Sequence, residues 1–312
     1  MFYLLSDLSY YTQTIKQEAL KLGFLDCGIT RAVPLKKDAF QLQNWLDKDY
    51  HGEMKYMEDH FAVRTHPNQF LPGAQSVIII LQNYFTSENQ EDPKAPVISK
   101  YAFGRDYHKV VRGKLKRLKL FIDAISTGIK SKIFVDSAPV MERSLARNAG
   151  LGWIGKNSLL LSRKYGSFFF IGGIMTNLEL EPDSRKKDNC GDCTRCIDEC
   201  PTGAIVSPGI IDSRKCISYL TIEYKGNAIP SLFKSFFKNR VFGCDICQDV
   251  CPWNKNAHPH DEYGLKANPE LLSLTKTDWY EMDEERFNLL FKGSAVKRAK
   301  FSGLRRNLNF IR

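Results

Sequence analysis

The chain has 312 residues, 43% hydrophobic and 12% aromatic, which is enough to bury the core of one large or two medium domains. Its 45 Lys and Arg residues exceed its 35 Asp and Glu residues, and the resulting net charge of +10 favours a polyanionic partner without identifying one. The longest apolar runs, 77–81 and 168–175, are shorter than the roughly 18 residues that span a bilayer. The first residues lack the basic start of a secretory signal, so we expect a cytoplasmic protein with no membrane attachment.

The first 180 residues predict a mixture of helices and strands. Helices are predicted where apolar residues recur at helical spacing, and strands where β-branched residues run between turn residues. Asp38 is a candidate cap for the second helix. The predicted elements are helices at 10–21, 38–45, 109–125 and 140–148, strands at 24–29, 76–81 and 133–136, and a hairpin that joins 159–161 to 167–175.

The helix predicted over 109–125 is amphipathic, with one apolar face and a remainder rich in lysine and arginine. Such charges are typical of a solvated helix face, and they also suit a surface that contacts nucleic acid. The sequence leaves both interpretations open.

A change of composition at Glu181, followed by Pro182, marks the clearest domain boundary. The polar segment beyond it holds the cysteines, and the last residues have a helical pattern with many basic side chains. We therefore predict three parts: residues 1–180, 181–260 and 261–312.

Eight of the nine cysteines lie between residues 190 and 251, which in a cytosolic chain argues for metal rather than disulfides. The run CGDCTRCIDECP, residues 190–201, has the C-x2-C-x2-C-x3-C-P spacing of bacterial ferredoxins. Its first three thiolates bind one 4Fe–4S cluster and its fourth binds another. The run GCDICQDVCP, residues 243–252, completes the set. The crossed assignment puts Cys190, Cys193, Cys196 and Cys251 on one cluster, and Cys200, Cys216, Cys244 and Cys247 on the other.

Zinc is the alternative, because C-x2-C pairs also build zinc ribbons. Both cysteine runs end in Cys-Pro, and two, two and three residues separate the successive cysteines of the first run. These two features favour iron–sulfur clusters. Such clusters transfer electrons but do not hold an organic substrate, so we expect residues 1–180 to carry the chemistry. Cys27 stands apart and is predicted to be a small buried residue.

Four further stretches, together with both cysteine runs, match one known family. They are KYAFGRDYH (100–108), VDSAPVMERSLARNAGLGWIGKN (135–157), YGS (165–167) and RKCISYLT (214–221). On these stretches the chain resembles the epoxyqueuosine reductases. These enzymes use cobalamin and two 4Fe–4S clusters to reduce the epoxide of epoxyqueuosine, at the anticodon wobble position of tRNA, to queuosine. The resemblance implies an α+β or α/β fold, in which an N-terminal mixed sheet domain binds cobalamin and substrate, a ferredoxin-like two-cluster domain follows, and a short helical segment ends the chain.

The resemblance gives Asp136 the role of general acid, which protonates the departing epoxide oxygen. Burial beside an apolar corrin is expected to raise the pKa of Asp136 toward neutrality. The alternative is a helix N-cap, because Asp136 precedes a predicted helix.

The resemblance also implies a set of cobalamin contacts. For three of them the residues alone suggest other roles: a surface salt bridge for Arg64, a turn for Asn157 and a helix surface for Ser218. His108, in DYHKVVRG, lacks the glycine of the cobalt-ligating histidine motif and is predicted to be an ordinary polar residue. The implied contacts are Arg64, Ser99, Asp136, Asn157, Ser218 and Asp245.

The implied partners are a tRNA that carries epoxyqueuosine in its anticodon loop and an external low-potential electron donor similar to flavodoxin or ferredoxin. We expect a monomer. Longer family members continue into helical repeats that help to hold tRNA, whereas this sequence stops at Arg312. Its basic tail, RRNLNFIR with Lys292, Lys297, Arg298 and Lys300, is a candidate for phosphate contacts, or else a packed helix with solvated arginines.

Two other classes of function remain open from the sequence. One is a cobalamin enzyme similar to the reductive dehalogenases that acts on a small molecule. The other is a ferredoxin-type electron-transfer subunit, which would leave 180 organised residues without a role.

Overall fold

The structure is a computed structural model that describes residues 2–312, with side-chain surroundings given from residue 8 onward. Helices and strands are mixed through the first 180 residues, and short helices dominate after residue 260. The strands are β1 (Asp26–Arg31), β2 (Ser76–Asn83), β3 (Val97–Ile98), β4 (Ser131–Val135), β5 (Trp153–Ile154), β6 (Leu160–Leu161), β7 (Phe169–Thr176), β8 (Ile205–Ser207), β9 (Ile210–Ile211) and β10 (Arg240–Phe242). The α-helices are α1 (Phe2–Lys21), α2 (Lys36–Leu46), α3 (Tyr56–Asp59), α4 (Phe61–Thr65), α5 (Pro67–Phe70), α6 (Tyr107–Asp123), α7 (Glu142–Asn148), α8 (Arg195–Asp198), α9 (Ile217–Ile222), α10 (Ile246–Asp249), α11 (Pro269–Leu272), α12 (Lys276–Glu281), α13 (Glu284–Leu290) and α14 (Lys300–Ile311).

A four-stranded antiparallel sheet, in the order β1-β2-β7-β4, forms the centre of the N-terminal part. Successive side chains of a strand point to opposite faces, and β2 is apolar on both. Ile78 and Ile80 pack with residues of α1 and α6, while Val77 and Ile79 pack with residues of α7. Burial on both faces explains why this strand is a continuous apolar run in the sequence.

The edge strand β4 lies close against β7 because β7 has glycine at the contact. A Cβ added at Gly173 would come within 2.4 Å of the carbonyl oxygen of Ile78 and 2.6 Å of the Phe134 ring. The pairing of β4 with β7 ends at Val135. Asp136 therefore leaves the sheet at its edge, directly after a buried strand.

The structure corrects two predictions of local structure. The predicted hairpin is wrong, because β6 pairs with β5 and β7 pairs with β2 and β4, which leaves one isolated bridge between Ser162 and Gly166. Asp38 is not the cap of α2, since the cap position is Leu35. The Asp38 carboxylate instead accepts hydrogen bonds from Ser144 and Arg147, which attaches α2 to α7.

A buried polar junction connects the cysteine segment to the sheet. The Gln248 amide donates to the hydroxyls of Tyr84 and Ser167, at 3.2 and 3.1 Å. The Asn254 side chain accepts from the Ser167 backbone N–H at 2.6 Å and donates to the Gln248 carbonyl at 2.7 Å. All four side chains are buried, so their hydrogen bonds fix how the two parts meet.

The C-terminal segment packs into a hydrophobic cluster that joins residues 95–103 to 241–308. Leu304 and Leu308 of α14 lie in this cluster. Between them, the fully buried Asn307 amide donates to the carbonyls of Thr221 and Val241, at 2.8 and 2.9 Å. Across the part of the chain described, no helix is both long and apolar enough to cross a membrane.

The basic tail uses its arginines within the protein. Arg306 donates to the carbonyls of Tyr224, Gly226 and Leu220, and Arg305 donates to those of Tyr280 and Met282. The tail is a packed helix, as one interpretation predicted, but Arg305 and Arg306 contact carbonyl groups rather than solvent.

Arg298 forms a two-bond ion pair with Glu223, at 2.6 and 2.8 Å. Lys297 donates to the Asn288 side chain, whereas Lys292 and Lys300 are exposed. Most of the charge in this segment is therefore engaged in internal contacts.

We predict that Asn307→Leu lowers the free energy of unfolding by about 2–3 kcal/mol, because two buried carbonyls lose their donor. Urea unfolding of the purified protein measures the loss. The matched control is Asn227→Leu at an exposed position, which should cost less than about 0.5 kcal/mol. Equal stability of the two variants would contradict this role of Asn307.

Candidate active site

Asp136 lies in an unusual backbone conformation directly after β4. Its φ angle of +48° is in the left-handed region that non-glycine residues rarely adopt. The Glu142 carboxylate accepts a hydrogen bond from the Asp136 backbone N–H at 2.5 Å. The cap position of α7 is Met141, so Asp136 is not the helix cap that the sequence offered as an alternative.

The Asp136 carboxylate accepts two hydrogen bonds from the first turn of α6. The Tyr107 hydroxyl donates to Asp136 Oδ2 at 2.8 Å, and His108 Nε2 lies 3.0 Å from the same oxygen. The other ring nitrogen, His108 Nδ1, lies 2.7 Å from Oδ1 of Asp106, the N-cap of α6. The Asp136 side chain remains 57% exposed, so a substrate can reach it.

The two carboxylates keep His108 protonated. Burial alone would lower the pKa of His108, but hydrogen bonds to Asp106 and Asp136 outweigh it and raise the pKa to about 9. Burial would likewise raise the pKa of Asp136, yet hydrogen bonds from His108 and Tyr107 lower it below its ordinary value. At neutral pH the pair is an imidazolium and a carboxylate, whereas the expected rise in the Asp136 pKa concerned burial beside a corrin.

Glu142 adds a second acidic side chain to this site. Burial and the nearby Asp136 charge raise the pKa of Glu142 to about 8, so this carboxyl holds a proton at neutral pH. Tyr107, His108 and Glu142 all fall inside the stretches that carry the family resemblance. Residue-by-residue reasoning nevertheless missed them, because nothing local shows that α6 meets the end of β4.

Ser99 and Asp245, two predicted cofactor contacts, lie together. The Lys100 backbone N–H donates to Asp245 Oδ2 at 2.8 Å, and the neighbouring Ser99 hydroxyl helps to lower the Asp245 pKa. Burial raises the pKa of Asp245 to about 6 despite these contacts. Buried polar groups of this kind suit contacts to a polar ligand edge.

An aromatic wall extends between Asp136 and Asp245. The Tyr107 and Phe170 rings stack in parallel at 4.0 Å, and Tyr101 lies 6.1 Å from Tyr107 at a steep angle. Burial raises the pKa of Tyr101, and the charges of both Asp245 and Asp136 raise it further. Tyr101 is thus close to both carboxyls.

Arg64 contains a buried donor without a partner. Its Nη2 donates to the Tyr56 carbonyl at 3.2 Å, while its buried Nε has no hydrogen-bond partner. Among the residues that the structure describes, Arg64 forms no ion pair, so the salt-bridge alternative is not what the structure contains. Burial lowers the pKa of Arg64, and the nearby acidic side chains, Asp136 among them, partly oppose that shift.

The other two predicted contacts lie beside the cysteine segment. The Asn157 side chain donates to the Cys247 carbonyl at 3.2 Å and accepts from the Leu159 N–H at 3.3 Å, as a turn residue does. The Ser218 backbone N–H bonds to the Cys216 sulfur. Asn157 therefore connects the N-terminal part to the cysteine segment, whereas the Ser218 contact is local to that segment.

The eight clustered cysteines lie in two groups of four, each with its thiols close enough to interact. Burial raises the pKa of Cys196 and of Cys247, and repulsion from the other thiols of its group raises each pKa further. Within residues 2–312 no three His, Cys, Asp or Glu side chains converge on one metal-ion position, whereas a 4Fe–4S cluster takes each thiolate on a different iron. The groups are Cys190, Cys193, Cys196 and Cys251, and Cys200, Cys216, Cys244 and Cys247.

Comparison with known proteins identifies the family. The family model "Epoxyqueuosine reductase QueG, DUF1730" matches residues 64–137, and "4Fe-4S double cluster binding domain" matches residues 189–254. Epoxyqueuosine reductase from Cellulophaga algicola is 49% identical over 302 residues, which cover 97% of this chain and 98% of that protein. The chain belongs to the epoxyqueuosine reductase family.

Solved structures of epoxyqueuosine reductases have the same fold. One, with an epoxyqueuosine-modified tRNA-Tyr stem loop, is 29% identical with a TM-score of 0.89 and covers 97% of this chain and 80% of that one. Another is from Bacillus subtilis and has its catalytic aspartate loop swung out of the active site. It is 28% identical with a TM-score of 0.85, and the match covers 97% of this chain and 81% of that one. A reductive dehalogenase shares the fold alone. It is 18% identical with a TM-score of 0.53, and the match covers 97% of this chain and 39% of that one.

We predict that Asp136→Asn lowers the pKa of His108 from about 9 toward 6.5, because one of its two carboxylate partners is lost. A histidine pKa raised by folding stabilises the protein fully below pH 6.5, and that contribution disappears as the pH rises through about 9. NMR titration of the His108 ring measures the shift. Asp106→Asn is the matched control and should lower the same pKa, whereas an unchanged pKa in both variants would refute the ion pairs.

Proposed function

We propose that this protein reduces the epoxide of epoxyqueuosine in tRNA to the alkene of queuosine. The support is the family membership together with one observation: a half-exposed carboxylate is paired to an imidazolium, in a chain that also holds two groups of four thiols. The reaction consumes two electrons and two protons, and the epoxide oxygen leaves as water. The same site would not be needed in a ferredoxin subunit, which only transfers electrons.

The two thiol groups fit two 4Fe–4S clusters, in the crossed assignment predicted from the sequence. When bound, the clusters would carry electrons one at a time from a donor to the active site. A surface cleft lined by Arg195, Cys251 and Lys255 lies beside the first thiol group. We assign this cleft to the external electron donor, a flavodoxin- or ferredoxin-like protein.

The residues also fit cobalamin, whose edge carries many amide groups. The unpartnered Nε of Arg64 and the Ser99–Asp245 pair offer hydrogen bonds, and the aromatic wall offers an apolar face. We propose Arg64, Ser99, Asp136, Asn157, Ser218 and Asp245 as its contacts. Cobalamin would supply the low-valent metal that delivers the electron pair to the substrate.

Asp136 and His108 deliver the proton to the substrate. The departing epoxide oxygen needs a proton, and the imidazolium of His108 holds one at neutral pH, 3.0 Å from Asp136 Oδ2. Asp136 accepts this proton when substrate displaces water around it and then passes it to the oxygen. Glu142 keeps Asp136 in its left-handed conformation through the backbone N–H, which positions the acid.

The organisation around this site is part of the proposal. Residues 1–180 would bind cobalamin and substrate, 181–260 would hold the clusters, and 261–312 would support them. The anticodon loop of the tRNA would enter where Asp136 is exposed, and the protein would act as a cytoplasmic monomer.

We predict that Asp136→Asn lowers the single-turnover rate at least about 100-fold, because the general acid is lost. The pre-reduced holoenzyme is mixed with epoxyqueuosine-containing tRNA, and mass spectrometry of the digested tRNA measures queuosine. Asp261→Asn is the control at an exposed carboxylate and should react as the wild type does. Retained turnover in Asp136→Asn, with unchanged cluster and cobalamin spectra, would refute the role of the acid.

We predict that Trp153→Phe lowers the reduction potential of the cluster held by Cys190. The buried Trp153 indole donates to the Cys190 sulfur at 3.3 Å, and such bonds stabilise the more negative, reduced cluster. Loss of one bond worth about 1 kcal/mol corresponds to about 40 mV for one electron.

Potentiometric titration followed by electron paramagnetic resonance measures this shift on protein with about eight irons per chain. The control is Trp253→Phe, which replaces the indole that packs against Trp153 at 5.2 Å by a smaller ring but leaves the Trp153 N–H in place. Equal potentials in wild type and Trp153→Phe would show that the hydrogen bond does not tune the cluster.

A further inference from the structure

Helix α6 presents a row of cations to solvent that its own structure does not use. Its buried side, with Val111, Leu115, Leu118 and Ile122, packs on the sheet. Helical geometry puts Lys109, Arg112, Lys116 and Arg117 on the opposite side, and all four are exposed. We call these four residues the α6 basic face.

The cations of this face differ from the other two lysines of α6. Lys114 pairs with Glu262 at 2.9 Å, and Lys119 pairs with Asp123 one turn away. None of the ion pairs between described residues includes a member of the α6 basic face. No acidic residue occurs in α6 before Asp123, so the face keeps its full positive charge.

A glycine lies in the middle of the α6 basic face. A Cβ added at Gly113 would meet nothing within 4 Å, so packing does not require glycine there. Glycine within a helix is unfavourable relative to alanine, because it loses more backbone freedom on folding. Its effect here is to leave the helix backbone open to a close approach, between Arg112 and Lys116.

The α6 basic face leads away from the catalytic acid. The first turn of α6 holds Tyr107 and His108, which bond directly to Asp136. With a rise of 1.5 Å per residue, Arg112 lies about 6 Å and Lys116 about 12 Å along the helix axis from His108. A polyanion that reached Asp136 and also followed α6 along its solvent side would therefore meet these side chains.

We propose that the α6 basic face binds backbone phosphates of the anticodon stem of the substrate tRNA, and that Gly113 allows the RNA backbone to approach the helix closely. This inference rests on the proposed function. Lysine and arginine without protein partners gain most from phosphate contacts, which release counterions from the nucleic acid. The arginines of the C-terminal helix α14 are already engaged with carbonyl groups, and so they are less available for this role.

The test compares full-length holoenzyme with the double variant Arg112→Gln, Lys116→Gln. Binding of tRNA, followed by fluorescence anisotropy at several salt concentrations, should weaken roughly tenfold at physiological salt, with a slope against log salt reduced by about two. KM for epoxyqueuosine-containing tRNA should rise while kcat at saturating tRNA stays unchanged. The matched control is Lys234→Gln, Lys238→Gln, on an exposed basic segment of a different element, and it should bind as the wild type does.

Gly113→Gln provides a second, independent variant. Its better helix propensity should raise the melting temperature, while the added side chain should weaken tRNA binding because it occupies the space of the RNA backbone. A purely structural role for this position would not produce higher stability together with lower affinity. Unchanged affinity in Gly113→Gln would remove the close-approach part of the proposal.

Three outcomes would overturn the inference. In the first outcome, the Arg112→Gln, Lys116→Gln variant binds tRNA as tightly as the wild type does. In the second, the Lys234→Gln, Lys238→Gln control loses as much tRNA affinity as that variant. In the third outcome, tRNA affinity would persist while reduction by a flavodoxin slowed and reduction by dithionite did not, which would assign the face to an acidic protein donor. Failure of the wild type to form queuosine is a different result, because it would refute the proposed function and leave the binding data to stand alone.

Discussion

The contact between the Asp136 carboxylate and the His108 imidazolium joins the two elements on which the site depends. β4 delivers Asp136 at the sheet edge, and the N-terminus of α6 delivers Tyr107 and His108. Each partner shifts the pKa of the other, so neither ionisation state is a property of one residue. The left-handed backbone at Asp136 would be costly by itself, and the hydrogen bond from its N–H to Glu142 offsets that cost. The Asp136 carboxyl is therefore fixed by electrostatics on one side and by the backbone on the other.

Buried amide side chains perform a related task elsewhere in the fold. Asn307 attaches α14 to Thr221 and Val241, and Asn157 attaches the β5–β6 turn to the Cys247 carbonyl. An amide both donates and accepts, so it can satisfy two backbone groups at a junction where an apolar side chain would leave them unpaired. The cysteine segment consists of short helices and turns, and these junctions give it a defined position.

Strong local patterns in the sequence predicted much of the fold. The apolar run of β2, the amphipathic α6 and the strand that ends before Asp136 are all present, with boundaries shifted by a few residues. The thiols that influence one another's pKa values are those that the sequence grouped together, and their assignment to individual clusters stays a prediction. Ligand spacing within a turn is a local property, which is why the sequence alone carries it.

Features that depend on distant contacts were beyond the sequence. His108 was predicted to be an ordinary polar residue, yet it bonds to Asp136, 28 positions later in the chain. The predicted hairpin failed because β7 pairs with β2 and β4, which are far from it in sequence. Composition likewise does not show whether an arginine binds a phosphate or a backbone carbonyl. In this structure Arg306 donates to backbone carbonyls. Secondary structure follows from neighbours, whereas the partners of charged groups follow from the tertiary fold.

The polar junction around Gln248 has a consequence for assembly of the holoprotein. Gln248 lies between Cys247 and Cys251, which belong to different thiol groups, and its amide bonds to Tyr84 and Ser167 of the N-terminal part. Metal insertion that orders this turn would also order the groups hydrogen-bonded to it. Cofactor loading and folding of the sheet are then linked equilibria, in which a ligand that binds only the native form shifts the population toward it. Cells starved of iron would accumulate a chain that is not merely inactive but also easier to unfold and degrade.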